Sequence, residues 1–485
     1  MNAIEGLSPQ ILWKRFYEIS QIPRNSKNEE QVRTYLKNFA EDNSFPFRED
    51  SVGNIVIQVP PTPGKENLPT IVLQSHVDMV CEKNRDTIHD FSKDPIRLIK
   101  EGGWIKAAGT TLGADNGIGA AASLAVAGED DFEHGPLELL FTVDEETGLT
   151  GANNLQPGFI TGKILLNLDT EEDGAFYVGC AGGMDTAGIL PIEFENINEK
   201  LSSFTLFISG LKGGHSGINI NDGRANAIKL MAHLLKSLKS FDPQIVQISG
   251  GSKRNAIPRE AEATILLNSE NESEIREVIN EFAINVSLQF RKIEEEIKIS
   301  FDRNDLSDTK IKQAFTKPFA NKLINTLIAL PHGVISMSSE IPGLVETSTN
   351  LATVVQNANE IIIGTSQRSS IETSKKSIAS VVESVLNLAD AKVKVGDGYP
   401  GWQPNMESPL LKKGMQIYKR MFSKEPVIKA VHAGLECGIL GDRYPGLDML
   451  SLGPTIEGAH SPDERVNIVD VEKFYRLLKE IIKSI

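Results

Sequence analysis

Five short stretches of this 485-residue chain put imidazole or carboxylate groups where apolar runs end or in loops beside them. They are Gln74-Ser-His76-Val-Asp78-Met, Gly109-Thr-Thr-Leu-Gly-Ala-Asp115-Asn-Gly-Ile-Gly, Asp144-Glu145-Glu146-Thr-Gly148, Asp169-Thr-Glu171-Glu172 and Ile456-Glu-Gly-Ala-His460-Ser-Pro-Asp-Glu464-Arg. A histidine two residues before an aspartate lets the carboxylate hold one ring nitrogen while the other binds a metal ion. An acid in a glycine-rich loop leaves room for close backbone approach and a carboxylate free to bridge cations. Adjacent acids such as Glu145 and Glu146 are costly after a buried strand unless paired or bound to a cation. Because neighbouring side chains point apart, one can ligate while the other faces a reactant. Taken singly, each stretch has an ordinary reading: a hydrogen-bonded structural histidine, a helix-capping aspartate or a solvated acid pair. All five in one crevice make metal-ion chemistry the better explanation.

Apolar periodicity predicts the elements that must position these groups. Ser8 and Pro9 open a helix whose Ile11, Leu12, Phe16 and Ile19 recur at helical spacing until Pro23, and a second helix covers about 28–42. Buried-type strands at 54–59, 70–74, 137–143 and 163–168, with a glycine- and alanine-rich helix at 116–127, read as an α/β sheet layered by helices. The carboxyl ends of strands in such a sheet form the ligand crevice. From about 201 the pattern becomes strands alternating with longer amphipathic helices, and it runs twice. Strands at 204–209, 245–249, 262–267 and 297–301 go with helices at 225–238 and 273–290. A helix at 312–330 then leads strands at 333–338, 350–356, 360–366 and 392–395 and a helix at 372–388. After the turn-rich Asp397-Gly-Tyr-Pro-Gly, helices at 408–422 and 469–485 and strands near 427–431 and 447–452 return to the first pattern. The prediction is a discontinuous catalytic domain, 1–198 and 398–485, carrying an inserted, duplicated α+β lid at 199–397.

Composition bounds the function classes. The length calls for more than one core, and 40% hydrophobic residues place the chain among folded globular proteins. The formal net charge of −15, without basic clusters, argues against a nucleic-acid partner. Cys81, Cys180 and Cys437 lack C-x-x-C spacing, which disfavours a disulfide framework or a thiolate zinc site. The stretch Met1-Asn-Ala-Ile-Glu-Gly lacks the basic-then-apolar pattern of a leader, and nowhere do about 18 apolar residues run together. A cytoplasmic protein without a membrane partner is expected.

In order and spacing, His76-x-Asp78, Asp115, Glu145-Glu146, Asp169 and His460 resemble the active-site set of the M20 metallopeptidase family. Ile22-Pro-Arg-Asn-Ser26, Gly213-Gly-His215-Ser-Gly, Lys253-Arg-Asn255-Ala-Ile-Pro, Val345-Glu-Thr-Ser-Thr-Asn350 and His432-Ala-Gly-Leu-Glu436-Cys-Gly extend the likeness across most of the chain. They point to the aminoacyl-histidine (Xaa-His, cytosol non-specific) dipeptidase branch. The resemblance implies an α/β/α catalytic domain of co-catalytic zinc peptidase type. It implies that His76 and Asp169 hold one divalent metal ion, Glu146 and His460 a second, and that Asp115 bridges both. Asp78 would orient His76, and Glu145 would be the general acid/base. Such donors suit zinc first, then cobalt or manganese.

The implied reaction is hydrolysis of the peptide bond of unblocked dipeptides, including Xaa-His substrates such as carnosine-like molecules, by a water activated between two metal ions. His215 would polarise the carbonyl as an oxyanion donor from within the same chain, and a homodimer is the family expectation. Asn255 and Arg368, in Ser366-Gln-Arg368-Ser-Ser, are candidates for holding the peptide, Arg368 through its terminal carboxylate. Both are equally readable as ordinary loop hydrogen bonders. His432 and Glu436 either line the crevice, Glu436 meeting a substrate ammonium, or serve structurally. His89, His134, His233 and His332 fit no position of the set. The competing functions are an M20-type deacylase or carboxypeptidase and a silent metal-binding scaffold, against which Glu145 beside Glu146 argues.

Overall fold

A computed structural model describes residues 2–304 and 312–485. Met1, the first residue of the stretch read for a leader, and 305–311, inside the interval expected to form the lid, lie outside the described residues. The chain forms two compact units: Met1–Gly179 with Trp402–Ala430 and Leu435–Ile485, and Cys180–Gly401 with Val431–Gly434. Among the described residues, no helix is long and apolar enough to cross a membrane.

The first unit is built on an eight-stranded sheet in the order Phe47–Glu49, Ile55–Val59, Leu137–Thr142, Ile71–His76, Ile164–Asn167, Asp448–Ser451, Ala175–Cys180, Val427–Val431. Its four central strands, from Leu137–Thr142 to Asp448–Ser451, run parallel, while Ile55–Val59 and Ala175–Cys180 pair antiparallel beside them. Every residue of Ile71–His76 and Leu137–Thr142 is buried. This explains why both read as continuous apolar runs: a parallel strand covered on both faces has no solvent side to alternate with.

Helix Gln10–Ser20 buries Leu12, Phe16 and Ile19, each contributing about 1.5–3 kcal/mol relative to exposure. It starts one residue later than the sequence suggested: Pro9 occupies the cap position, and Ser8 makes no side-chain cap. The second helix spans Glu30–Asp42. Helix Ala114–Ala127 is buried nearly all round, as its run of Gly and Ala allows. A Cβ on Gly119 would stand 2.6 Å from the Leu168 carbonyl, so the residue's small size sets how closely this helix meets a strand end. A small sheet, Ile456–Glu457, Arg465–Asn467, Trp104–Ala107 and Leu98–Glu101, frames the turn that carries His460.

The second unit carries an antiparallel nine-stranded sheet whose main path runs Lys298–Arg303, Ser202–Ser209, Ala261–Leu267, Gln244–Gly250, Val345–Gln356, Glu360–Ser369, Gly182–Pro191, Lys392–Val395. Gly333–Met337 pairs with Val345–Gln356 off that path. Helices Ala227–Ser237, Glu272–Phe290, Lys317–Ala329 and Glu372–Leu388 complete it. Two halves of matching strand order meet where Gly250 pairs with Val354. In the second half, the strand matching Ser202–Ser209 is Gly182–Pro191, which precedes both halves in sequence, and Gly333–Met337 is an added hairpin arm. Periodicity detects the elements of such a repeat, but pairing decides which strand completes it.

Candidate metal centre

The carboxyl ends of the four parallel strands deliver the first group of residues. His76 is the last residue of Ile71–His76, the turn Glu145–Gly148 follows Leu137–Thr142, Asp169 follows Ile164–Asn167, and the segment to His460 follows Asp448–Ser451. Asp115 enters from the first turn of helix Ala114–Ala127, where it and Asn116 leave helical geometry.

Asp115 spans two imidazoles: its Oδ1 lies 3.0 Å from His76 Nε2, and its Oδ2 3.1 Å from His460 Nε2. Asp169 Oδ1 is 3.4 Å from the same His76 nitrogen, and Glu146 Oε2 is 3.1 Å from the same His460 nitrogen. The two triads, His76 with Asp115 and Asp169, and His460 with Asp115 and Glu146, each bring ligand atoms close enough to hold a metal ion, and they share Asp115. His76, Glu145 and Glu146 form a further close triad. Among the described residues, Glu146 Oε1 is buried without a hydrogen-bond partner. An orphaned carboxylate oxygen among imidazoles and acids is what a cation would satisfy, so the donor set fits divalent metal ions.

The electrostatics agree. His460 is raised to about 11 by hydrogen bonds to Asp115 and Glu146, with burial opposing. Burial also opposes protonation of His76, yet Asp169, Asp115 and Asp78 lift it well above its usual value. Asp169 rises to about 6 through burial and the repulsion of Asp115, although His76 pulls it down. Without a cation, then, protons on the imidazoles compensate the acids.

Asp78 is fully buried and faces His76 Nδ1 at 3.3 Å. Burial resists its charge, but His76, Ser26 and the Glu145 N–H hold it down at about 2. Glu145 is raised well above the usual carboxylate range by burial and by Asp169, Glu436 and Glu146, with His76 opposing. Asp144 and His460 both take left-handed backbone, φ 50° and 63°, at a cost on the order of 1–3 kcal/mol each. Thr147 and Thr150 hydroxyls hold the Asp144 carboxylate.

Glu436, first residue of helix Glu436–Arg443, belongs to this unit and is buried. Its Oε2 accepts from Gln74 Nε2 at 2.6 Å and Thr142 Oγ1 at 2.7 Å, while Oε1 has no partner among the described residues. Burial, with Asp169 and Asp78 nearby, raises it to about 7 against the pull of His76 and the Thr142 hydrogen bond. His432, four residues earlier, belongs to the other unit.

There His215, Asn255, Arg368 and His432 have their own setting. His215, on the two-residue strand paired with Ala256–Ile257, accepts the N–H groups of Gly217 and Ile218 at Nδ1, 3.2 and 3.1 Å. Burial and the Arg368 charge lower it to about 4, so at neutral pH its proton sits on Nε2. The buried Arg368 donates from Nη1 to Tyr399 Oη at 2.8 Å, leaving Nε unpartnered among the described residues. His432 Nε2 is 2.7 Å from Ser348 Oγ, and burial with Arg368 lowers its pKa to about 3. Asn255 gives its backbone carbonyl to Ser216 N–H at 2.9 Å and has an exposed side chain.

Sequence reasoning missed several supports. Arg24, Ser26, Gln74, Thr142, Asn116, Tyr399 and Glu464 all hold site residues or their loops. Arg24 and Ser26 stand in the quoted Ile22-Pro-Arg-Asn-Ser26 motif, which carried a likeness but no role. Of the remaining histidines, His134 contacts the Gly135 carbonyl at 2.6 Å and His332 lies 3.3 Å from Asn226 Nδ2.

Comparison with known proteins follows the same lines. The profile of Peptidase family M20/M25/M40 matches residues 72–484. The cytosol non-specific dipeptidase of Escherichia coli (strain K12) is 42% identical over 486 residues, 100% of this chain and 99% of that protein. The crystal structure of aminoacylhistidine dipeptidase from Vibrio alginolyticus superposes with a TM-score of 0.92 at 41% identity, covering 99% of this chain and 98% of the other. Aminopeptidase PepT from Bacillus cereus ATCC 10987, at 16% identity and a TM-score of 0.58 over 98% of each chain, shares the fold.

Proposed function

The chain belongs to peptidase family M20/M25/M40, and from that premise we propose that it is a metallopeptidase that hydrolyses unblocked dipeptides, Xaa-His dipeptides among them. The observation that carries this reading is the Asp115 carboxylate set between His76 and His460 with Glu145 beside it. His76 and Asp169 would hold one ion, Glu146 and His460 the other, and Asp115 both, with zinc the first choice and cobalt or manganese able to replace it. Bound there, the ions supply Lewis acidity, polarising a carbonyl and lowering the pKa of water toward about 7.

The chain's own groups do the rest. Glu145 takes the proton of the attacking water and returns it to the leaving amine. Asp78 keeps the His76 ring oriented. In the second unit, a neutral His215 with its proton on Nε2 is suited to donate to the developing oxyanion. Arg368, pinned on one edge by Tyr399, keeps Nε for the terminal carboxylate of a peptide. Asn255 and His432 accompany it on the peptide, and the unpartnered Oε1 of Glu436 takes the substrate ammonium. The protein works in the cytoplasm as a homodimer.

The test is hydrolysis of β-Ala-His, Gly-His, Leu-Gly and an N-acyl amino acid by metal-free protein, with and without zinc or cobalt. Metal-dependent release of amino acids from the unblocked dipeptides is expected. Turnover of the N-acyl compound alone would replace the reading with a deacylase, and no turnover with any metal would leave a silent scaffold.

A further inference from the structure

Two buried charged residues with no part in the chemistry, Arg24 and Glu464, grip the loop that carries Asp115 from its two sides. Glu464 is 2% exposed and spends both carboxylate oxygens on that loop. Oε2 accepts the N–H groups of Leu112 at 2.7 Å and Gly113 at 2.9 Å. Oε1 accepts those of Ala114 at 2.7 Å and Asp115 at 3.3 Å. Hydrogen bonds to an ionised acceptor are about twice as strong as neutral ones, and four of them oppose the cost of burying the carboxylate.

Arg24, also 2% exposed, works on the carbonyl side. Its Nη2 donates to the Gly113 carbonyl, and its Nη1 to the carbonyls of Val77 and Asp78, each at 2.9 Å. Gly113 has φ 69°, and a Cβ there would stand 2.4 Å from Arg24 Nη2. The grip therefore needs a glycine, both for backbone conformation and for space. Ser26, two residues on, donates to Asp78 Oδ2 at 2.8 Å.

We propose that Arg24 and Glu464 are positioning residues of the metal centre. Glu464 locks the Asp115 loop to the turn that carries His460, four residues before it. Arg24 locks the same loop to the strand end of His76 and Asp78. The bridging carboxylate and the two imidazoles thereby keep one mutual geometry before any ion arrives, and the motif 22–26 gains a function. The inference rests on the ligand set proposed above.

The test compares Glu464→Gln and Arg24→Lys with the parent protein by cobalt(II) titration, reading stoichiometry, affinity and the visible d–d spectrum, with far-UV circular dichroism as the fold control. Glu464→Gln keeps the shape but removes the charge and replaces one acceptor oxygen with an amide that repels N–H donors. Folded variants should bind at least one of two cobalt equivalents about 10–100-fold more weakly, with an altered spectrum. Should Glu464→Gln fail to fold, Arg24→Lys decides on the same readouts. Folded variants with the parent's affinity and spectrum would overturn the proposal, whatever their thermal stability. A parent that binds no cobalt would instead sink the ligand set, and the inference with it.

Discussion

Asp78 accepts the backbone N–H of Glu145 through Oδ1 at 3.1 Å. The acid expected to orient His76 therefore also sets the start of the turn that carries Glu145 and Glu146, since Oδ2 takes the Glu146 N–H as well, at 3.3 Å. Asp78→Asn should lose on both counts: the charge facing His76 Nδ1 goes, and one of the two acceptor oxygens becomes a donor. Metal affinity is expected to fall about 10–100-fold, read by titration of the metal-free variant. Unchanged affinity would mean that His76 needs no such partner.

Glu145→Gln separates proton transfer from metal binding. The amide keeps the side chain's size, and Glu145 stands outside the two triads that share Asp115. Metal content should stay at the parent level while turnover falls by about 10²–10⁴-fold, the usual contribution of a positioned acid/base. Metal analysis with steady-state kinetics on one dipeptide checks both halves, and parent-level turnover would remove Glu145 from the mechanism.

Loading the metal should expel protons. In the metal-free protein His460 titrates at about 11 and His76 well above its usual value, both held by acids, so at neutral pH each imidazole carries a proton that an ion must displace. Apparent affinity is expected to rise with pH across the neutral range. Calorimetry of zinc uptake in buffers of different ionisation enthalpy should show proton release, and heats independent of buffer would contradict it.

Four of the proposed ligands, His76, Glu146, Asp169 and His460, stand in segments that follow the ends of parallel strands, a local event that sequence can show, while Asp115 enters from the first turn of a helix. They gather as two triads, His76 with Asp115 and Asp169, and His460 with Asp115 and Glu146, that share Asp115. Glu464 was not legible as a support. Its role depends on accepting backbone N–H groups some 350 residues away, and backbone donors leave no residue type to match. Tyr399 was hidden likewise in a turn-rich link, where nothing local announces that its hydroxyl meets Arg368. Gly182–Pro191 completes the second half of the nine-stranded sheet from outside the interval that periodicity had marked, because register is a long-range property.

Acid should weaken the second unit through His332. Burial and the nearby Lys229 cation lower its pKa from 6.5 to about 4, and its Nδ1 lies 3.3 Å from Asn226 Nδ2. Between those values the unfolded chain binds the proton and the folded chain does not, so stability falls as pH drops from 6.5 to about 4. His332→Gln, which has no proton to gain, should make that limb of the urea midpoint against pH shallower, leaving the share of His215 and His432. Parallel profiles for variant and parent would exclude His332 as a source of the acid sensitivity.

Arg368 offers the sharpest test of how a peptide is held. Its Nη1 is committed to Tyr399 Oη, its Nε has no partner among the described residues, and the side chain is buried. A buried guanidinium edge without an acceptor is costly unless an anion arrives to fill it, and a planar fork matches a carboxylate better than a lysine ammonium would. Arg368→Ala should therefore cost about 1.5–3 kcal/mol on substrates with a free terminal carboxylate, the range for a hydrogen bond to a charged group. That corresponds to roughly 10- to 150-fold in KM, with kcat less affected if the contact is equal in ground and transition states. C-terminally amidated dipeptides lack the carboxylate and should be cleaved by variant and parent with similar KM. Arg368→Lys should recover only part of the loss, because a single ammonium cannot pair with both carboxylate oxygens in the same plane. An equal rise in KM for free and amidated dipeptides would show that Arg368 shapes the unit around it and does not read the carboxylate.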